Sequence, residues 1–61
     1  MNKFNLCDDV IVTGNKYYEG KTGRVVEIEV NDVGETIYTV AVLFANYIDL
    51  CFSEDELELL G

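Results

Sequence analysis

The side chains able to do chemistry fall into two groups of opposite sign. Lys16, Lys21 and Arg24 lie within nine residues, with Tyr17 and Tyr18 between the first two. Cations interleaved with aromatics can hold a nucleic-acid strand, phosphate by charge and base by stacking. After Arg24 come nine acidic residues and no lysine or arginine: Glu27, Glu29, Asp32 and Glu35, then Asp49, Glu54, Asp55, Glu56 and Glu58. Carboxylates at that density repel phosphate and attract surfaces rich in Lys and Arg. The net charge of −8, twelve acids against four bases, sets the whole field of the chain against the first group and behind the second. Each group also has a plain structural reading. The tyrosines can fold back onto a core, and the carboxylates can form a solvated face that only keeps the domain in solution.

Catalysis finds little to work with. There is no histidine. Gly20-Lys21-Thr22 matches the last residues of a phosphate-binding loop but lacks the earlier glycine and the following helix, so it reads as a turn. A carboxylate pair can act as acid and base only where burial shifts its pKa values, and a chain of 61 residues offers no evident pocket for that. Asp32 to Glu35 and Glu54 to Glu58 lack the spacing of a calcium loop. Cys7 and Cys51 have neither redox nor zinc spacing and read as reduced, partly buried thiols. They could meet in space if the first and fourth strands lie close, and sequence alone leaves that pairing open. No metal, no cofactor and no enzymatic activity is expected.

The elements that carry these residues are short strands. Sixty-one residues hold one domain, 1–61, and one small core. A core of this size supplies about 3–5 kcal/mol, so a partner surface is a natural source of further stability. An apolar fraction of 49% excludes a disordered chain, and no apolar run or basic start suggests a membrane span or leader, which places the protein in the cytoplasm.

Asp9 to Thr13 is rich in β-branched residues and predicts a first strand with Val10 and Val12 inward. Gly14 to Gly23 is a long, glycine-bounded loop. Arg24 to Val30 predicts a second strand with Glu27 and Glu29 on its wet face. There Val25 is out of phase, and a β-bulge near Val25 and Val26 brings Val25 and Ile28 to one side. Asn31 to Glu35 is an exposed hairpin loop.

Thr36 to Phe44 is the strongest strand signal, apolar in both phases. If Tyr38, Val40, Val42 and Phe44 face the core, then Ile37, Ala41 and Leu43 form an outer strip, with Val33 and Leu60 at its ends. That strip is either a contact surface, as in a homodimer, or is covered by Phe4-Asn5-Leu6. Ile48 to Phe52 reads as a half-buried strand. Ser53-Glu54-Asp55-Glu56 has the form of a capping box with room for one 3₁₀ turn before a last strand at Leu57 to Leu60. Five short strands with one 3₁₀ turn before the last make an all-β domain in the order of an SH3-like barrel.

At this point the residues resemble a known pattern. Asp9-Val10-Ile11-Val12, followed by Gly20-Lys21-Thr22-Gly23-Arg24-Val25-Val26-Glu27-Ile28, looks like the KOW motif of ribosomal proteins and transcription elongation factors, over about the first half of the chain. The resemblance implies the first hairpin of an SH3-like barrel, Gly23 as the turn glycine, Val25 and Ile28 in the core, and loops that contact RNA, ribosome or polymerase. The later residues, Tyr38-Thr39-Val40 and Phe52 to Leu59, are similar to small bacterial and phage SH3-like proteins. Members that bind RNA are typically basic, and this chain is acidic. A fold alone does not choose a function.

Three expectations follow. The first is an acidic interaction module docking Glu27, Glu29, Asp32 and Glu35 onto a basic surface of a protein partner, as an inhibitor or a mimic of nucleic acid. The second is a KOW-type accessory factor of ribosome or polymerase using Lys16, Tyr17, Tyr18, Lys21 and Arg24. The third is a structural subunit that pairs through the Thr36 to Phe44 strand.

Overall fold

The computed structural model describes residues 2–61. It is all-β: β1 (Asp9–Val12), β2 (Thr22–Val30), β3 (Thr36–Leu43), β4 (Tyr47–Ser53), a 3₁₀ turn (Glu54–Glu56) and β5 (Leu57–Leu59). The strands are antiparallel and hydrogen-bonded in the order β4-β3-β2-β1-β5. That order, with the 3₁₀ turn before the last strand, is compatible with an SH3-like barrel. The ladder nevertheless ends at β4 on one side and β5 on the other, so hydrogen bonding leaves the sheet open between them.

Period-two alternation puts the branched side chains inside. Val10 and Val12 of β1, Val25 of β2, Tyr38, Val40 and Val42 of β3, Phe52 of β4 and Leu57 of β5 are buried together with Phe4. The bulge lies where the phase of β2 breaks. Val25 faces Val40 and Glu27 faces Thr39, leaving Val26 as the extra residue. Because Ile28 then faces Tyr38, the bulge returns it to the same side as Val25, half-buried against the core. Burial fades along β4, from Phe52 through half-buried Leu50 to exposed Ile48.

Three expectations are corrected here. The resemblance made Gly23 a turn glycine, but β2 begins at Thr22 and Gly23 sits inside it, opposite Val42. What its place demands is the absence of a Cβ, which would lie 2.4 Å from the Ala41 carbonyl oxygen and 2.7 Å from Val40 Cγ1. Phe44, expected in the core phase of β3, lies beyond the end of that strand. It is partly exposed and set edge-on to Tyr18 at 6.3 Å. Phe4 does not cover the outer strip. It is buried on the inner side with its ring edge-on to Tyr38 at 5.2 Å, while Leu6 is exposed.

The two connections that matter for the surface are locally determined. In the β2–β3 hairpin the Asn31 side-chain oxygen accepts from the amides of Val33 (3.1 Å) and Glu35 (2.9 Å). Gly34 takes the positive φ of 87° that closes the turn. At the 3₁₀ turn the expected capping residues are engaged: the Ser53 amide donates to Glu56 Oε1 at 2.9 Å. Glu56 Oε2 also accepts from Asn15 Nδ2 at 2.9 Å, which ties the long β1–β2 loop to this turn.

Candidate docking surface on the outer sheet face

The same alternation that fills the core assigns the opposite phase to the outer face. Residues that neighbour one another across the strands there can be read from the register. One row is Glu29, Ile37 and Ser53, and the next is Glu27, Thr39 and Cys51. Beyond the bulge come Asp9, Arg24, Ala41 and Asp49, then Glu58, Ile11, Thr22, with Leu43 beside Tyr47. Glu27 and Glu29 are exposed on this face, as their phase predicts, while Asp32 and Glu35 are exposed on the hairpin beyond it. Asp49 adds a carboxylate to the same face from β4, while β3 between them contributes Ile37, Thr39 and Ala41.

The candidate cations do not form one patch. Arg24 lies on the outer face, where its Nε donates to Asp9 Oδ1 at 3.2 Å across the β1–β2 pair. Both side chains of that pair are more than half exposed, so it contributes at most about 1 kcal/mol. Lys21 sits over the Phe44 ring at 5.1 Å, and Lys16 over its neighbour Tyr17 at 5.4 Å. The two tyrosines part company. Tyr18 is half-buried, edge-on to Phe52 at 6.1 Å and to Phe44, whereas Tyr17 projects with 79% of its surface exposed.

The apolar strip is split by the same register. Ala41 and Leu43 belong to the bulge end of the face, and Ile37 lies at the hairpin end between Glu29 and Ser53. β3 is hydrogen-bonded on both edges, to β2 and to β4, so a second copy could meet it only through this face.

Around Ala41 the sheet surface hollows into a groove of about 720 Å³ lined in part by Ala41 and Gly23, neighbouring positions on the paired strands β3 and β2. Its walls include Val26, Leu43, Tyr47 and Leu60, all about half exposed or more, and the Asp9 and Arg24 pair. A smaller hollow of about 370 Å³ lies between the hairpin and the 3₁₀ turn, lined by Gly34, Glu35, Thr36, Ser53, Glu54 and Asp55. The groove is the feature sequence reading missed. Gly23 lines it because it is a strand residue beside β3, and Tyr47 lines it because β4 begins one residue before Ile48. The signal available was Leu60, already in phase with the outer strip.

Glu54, one of the residues lining the small hollow, accepts at Oε2 from the buried Tyr38 hydroxyl at 2.8 Å, and that hydroxyl accepts from the Phe4 amide at 3.2 Å. Glu54 Oε2 also accepts from the Lys3 amide at 3.2 Å. The Tyr38 hydrogen bond, then the Lys3 amide, hold the Glu54 carboxyl below its ordinary value. Burial first, with the adjacent Glu54 carboxylate, raises the Tyr38 hydroxyl above the usual phenol range against the opposing Phe4 amide.

The cysteines are free and exposed rather than partly buried. β1 and β4 are separated by β2 and β3 in the ladder, which removes the closeness a Cys7–Cys51 bridge would need from those strands. Among the described residues no group of three or more Cys, Asp or Glu side chains is placed to hold a metal ion, and no helix is long and apolar enough to cross a membrane. Compared with protein-family models, with curated proteins and with solved structures, the chain matches none of them.

Proposed function

We propose that the protein is a non-catalytic interaction module in which an SH3-like, KOW-like framework presents an acidic outer sheet face to a basic surface of a partner protein. Glu27 and Glu29 are the centre of that face, with Asp32 and Glu35 extending it along the hairpin. The observation that carries the reading is the alternation of β2: the bulge turns Val25 and Ile28 inward and leaves Glu27 and Glu29 outward, with no lysine or arginine after Arg24 to neutralise them. A partner surface rich in Lys and Arg relieves the repulsion among these carboxylates, and a partner that handles nucleic acid carries such a surface. Occupying it makes the module an inhibitor or a mimic of nucleic acid.

Affinity capture with the wild-type chain and with a Glu27→Gln, Glu29→Gln, Asp32→Asn, Glu35→Asn variant tests this. Partners held by wild type should be lost from the variant and should weaken at least about tenfold between about 0.05 and about 0.3 M salt. Partners retained equally by both chains and indifferent to salt overturn it. The second reading, a KOW-type RNA contact, is favoured only by the exposed pair Lys16 and Tyr17 at the loop. Filter binding with single-stranded RNA decides between them. Micromolar or tighter retention lost on changing Lys16, Lys21 and Arg24 supports the RNA reading.

A further inference from the structure

We propose that the groove over Ala41 receives one large apolar side chain, aromatic or leucine, from a protein segment in which that residue is flanked by lysine or arginine. The proposal rests on the acidic-face reading for the sign of the partner's charge. It adds where the contact is anchored and what the contact requires besides charge.

Two independent features of the groove specify that occupant. The first is its shape and lining. Ala41 is the small residue on the outward phase, Gly23 lines the groove only by its backbone because its Cβ position points to the core, and Val26, Leu43, Tyr47 and Leu60 stand around them with 47%, 53%, 71% and 50% of their surfaces in water. Apolar side chains gathered around a concavity gain by covering it with apolar atoms. The second is the charge at its margin. Asp9 is part of the wall, Asp49 lies directly across the β3–β4 pair from Ala41, and Glu58 lies across from Ile11, the neighbour of Thr22. Glu27 follows Val26 beyond the bulge. The one base there, Arg24, is already paired with Asp9.

With Asp9 and Arg24 offsetting each other, Asp49, Glu58 and Glu27 leave the margin of this apolar centre net negative, which complements an apolar residue between cations. A second copy would bring the same carboxylates face to face, and a nucleic-acid strand or an anionic lipid surface would meet repulsion at the same margin.

The test uses the ¹⁵N-labelled full chain and three synthetic pentapeptides: a central phenylalanine flanked by lysines, a central serine flanked by lysines, and a central phenylalanine flanked by glutamates. With the first, amide shifts should centre on Gly23, Arg24, Ala41, Leu43 and Leu60. The serine peptide should bind at least about tenfold more weakly, and the glutamate peptide should not bind. Leu43→Ser and Leu60→Ser, both at exposed positions that leave the core intact, should each weaken the first peptide toward the level of the serine one.

Equal binding of the serine and phenylalanine peptides, or shifts centred on Glu29 to Glu35, overturns the groove while leaving the acidic face standing. Equal binding of the glutamate and lysine forms of the phenylalanine peptide overturns the acidic reading itself. Absence of any shift, or groove shifts that appear with protein concentration alone and mark a second copy, also overturns the proposal.

Discussion

The Tyr38 hydroxyl donates a hydrogen bond to Glu54 Oε2 across 2.8 Å, joining the middle of β3 to the first residue of the 3₁₀ turn. The same oxygen of Tyr38 accepts from the Phe4 amide, so one buried hydroxyl holds both the N-terminal segment and the turn that leads into β5. A phenylalanine at position 38 would fill the same space and satisfy neither partner. Tyr38→Phe is expected to cost about 1–2 kcal/mol in urea denaturation. It should also speed amide hydrogen exchange at Phe4. An unchanged midpoint together with unchanged exchange would show that the hydroxyl ties nothing down.

The two ionisable partners limit stability at opposite ends of the pH scale. Glu54 is held below its ordinary value of 4.5, so its contribution is present above that pH and is lost as pH falls through the lower folded value. Tyr38 is held above its ordinary value of 10.0, so its contribution is present below that pH and is lost as pH rises through the higher folded value. Melting temperature should therefore be flat between the two and fall on both sides. Glu54→Gln should flatten the acid limb, and an acid limb of unchanged steepness in that variant would assign it to other carboxylates.

Glycine at 23 and glycine at 34 are required for different reasons, and substitution separates them. At Gly34 a Cβ meets open space but the backbone φ of 87° is one that asparagine tolerates better than alanine. At Gly23 the obstacle is the Ala41 carbonyl, which no choice of side chain avoids. Gly34→Asn should be milder than Gly34→Ala, whereas Gly23→Ala and Gly23→Asn should both cost about 1–3 kcal/mol or more through displacement of β2 from β3. Near-neutral Gly23→Ala would mean that the two strands separate without cost.

What the chain order reveals of this fold is uneven, and the reasons are physical. Val10, Val12, Tyr38, Val40 and Val42 were legible because a strand repeats every two residues, and one face must be apolar to build a core. The bulge was legible for the same reason, since Val25 breaks that repeat and only an extra residue restores it for Ile28. Phe4 carries no such signal. It lies in an irregular segment where no period relates it to a neighbour, and its burial follows from where Tyr38 stands in three dimensions. Tyr17 and Tyr18 are adjacent and chemically alike, and only the position of Phe44 and Phe52 separates the packed ring from the free one. The acidic residues were visible as a run, but their division between sheet face and hairpin depended on register. The groove depended on register twice over, through Gly23 and through Tyr47.

The pairing of β1 with β5 joins Val12 to Leu57 and Val10 to Leu59, residues at opposite ends of the described chain, whereas β2, β3 and β4 pair with their neighbours in sequence. Loops that long are entropically dearer to close than hairpins. On a translating ribosome the meander can therefore organise while β1 still has one flank bare, and the core around Val10 and Val12 is completed only when Leu57 of β5 emerges. Nascent protein at that stage has a sticky seam, and the carboxylates already synthesised around it supply the mutual repulsion that keeps neighbouring copies apart.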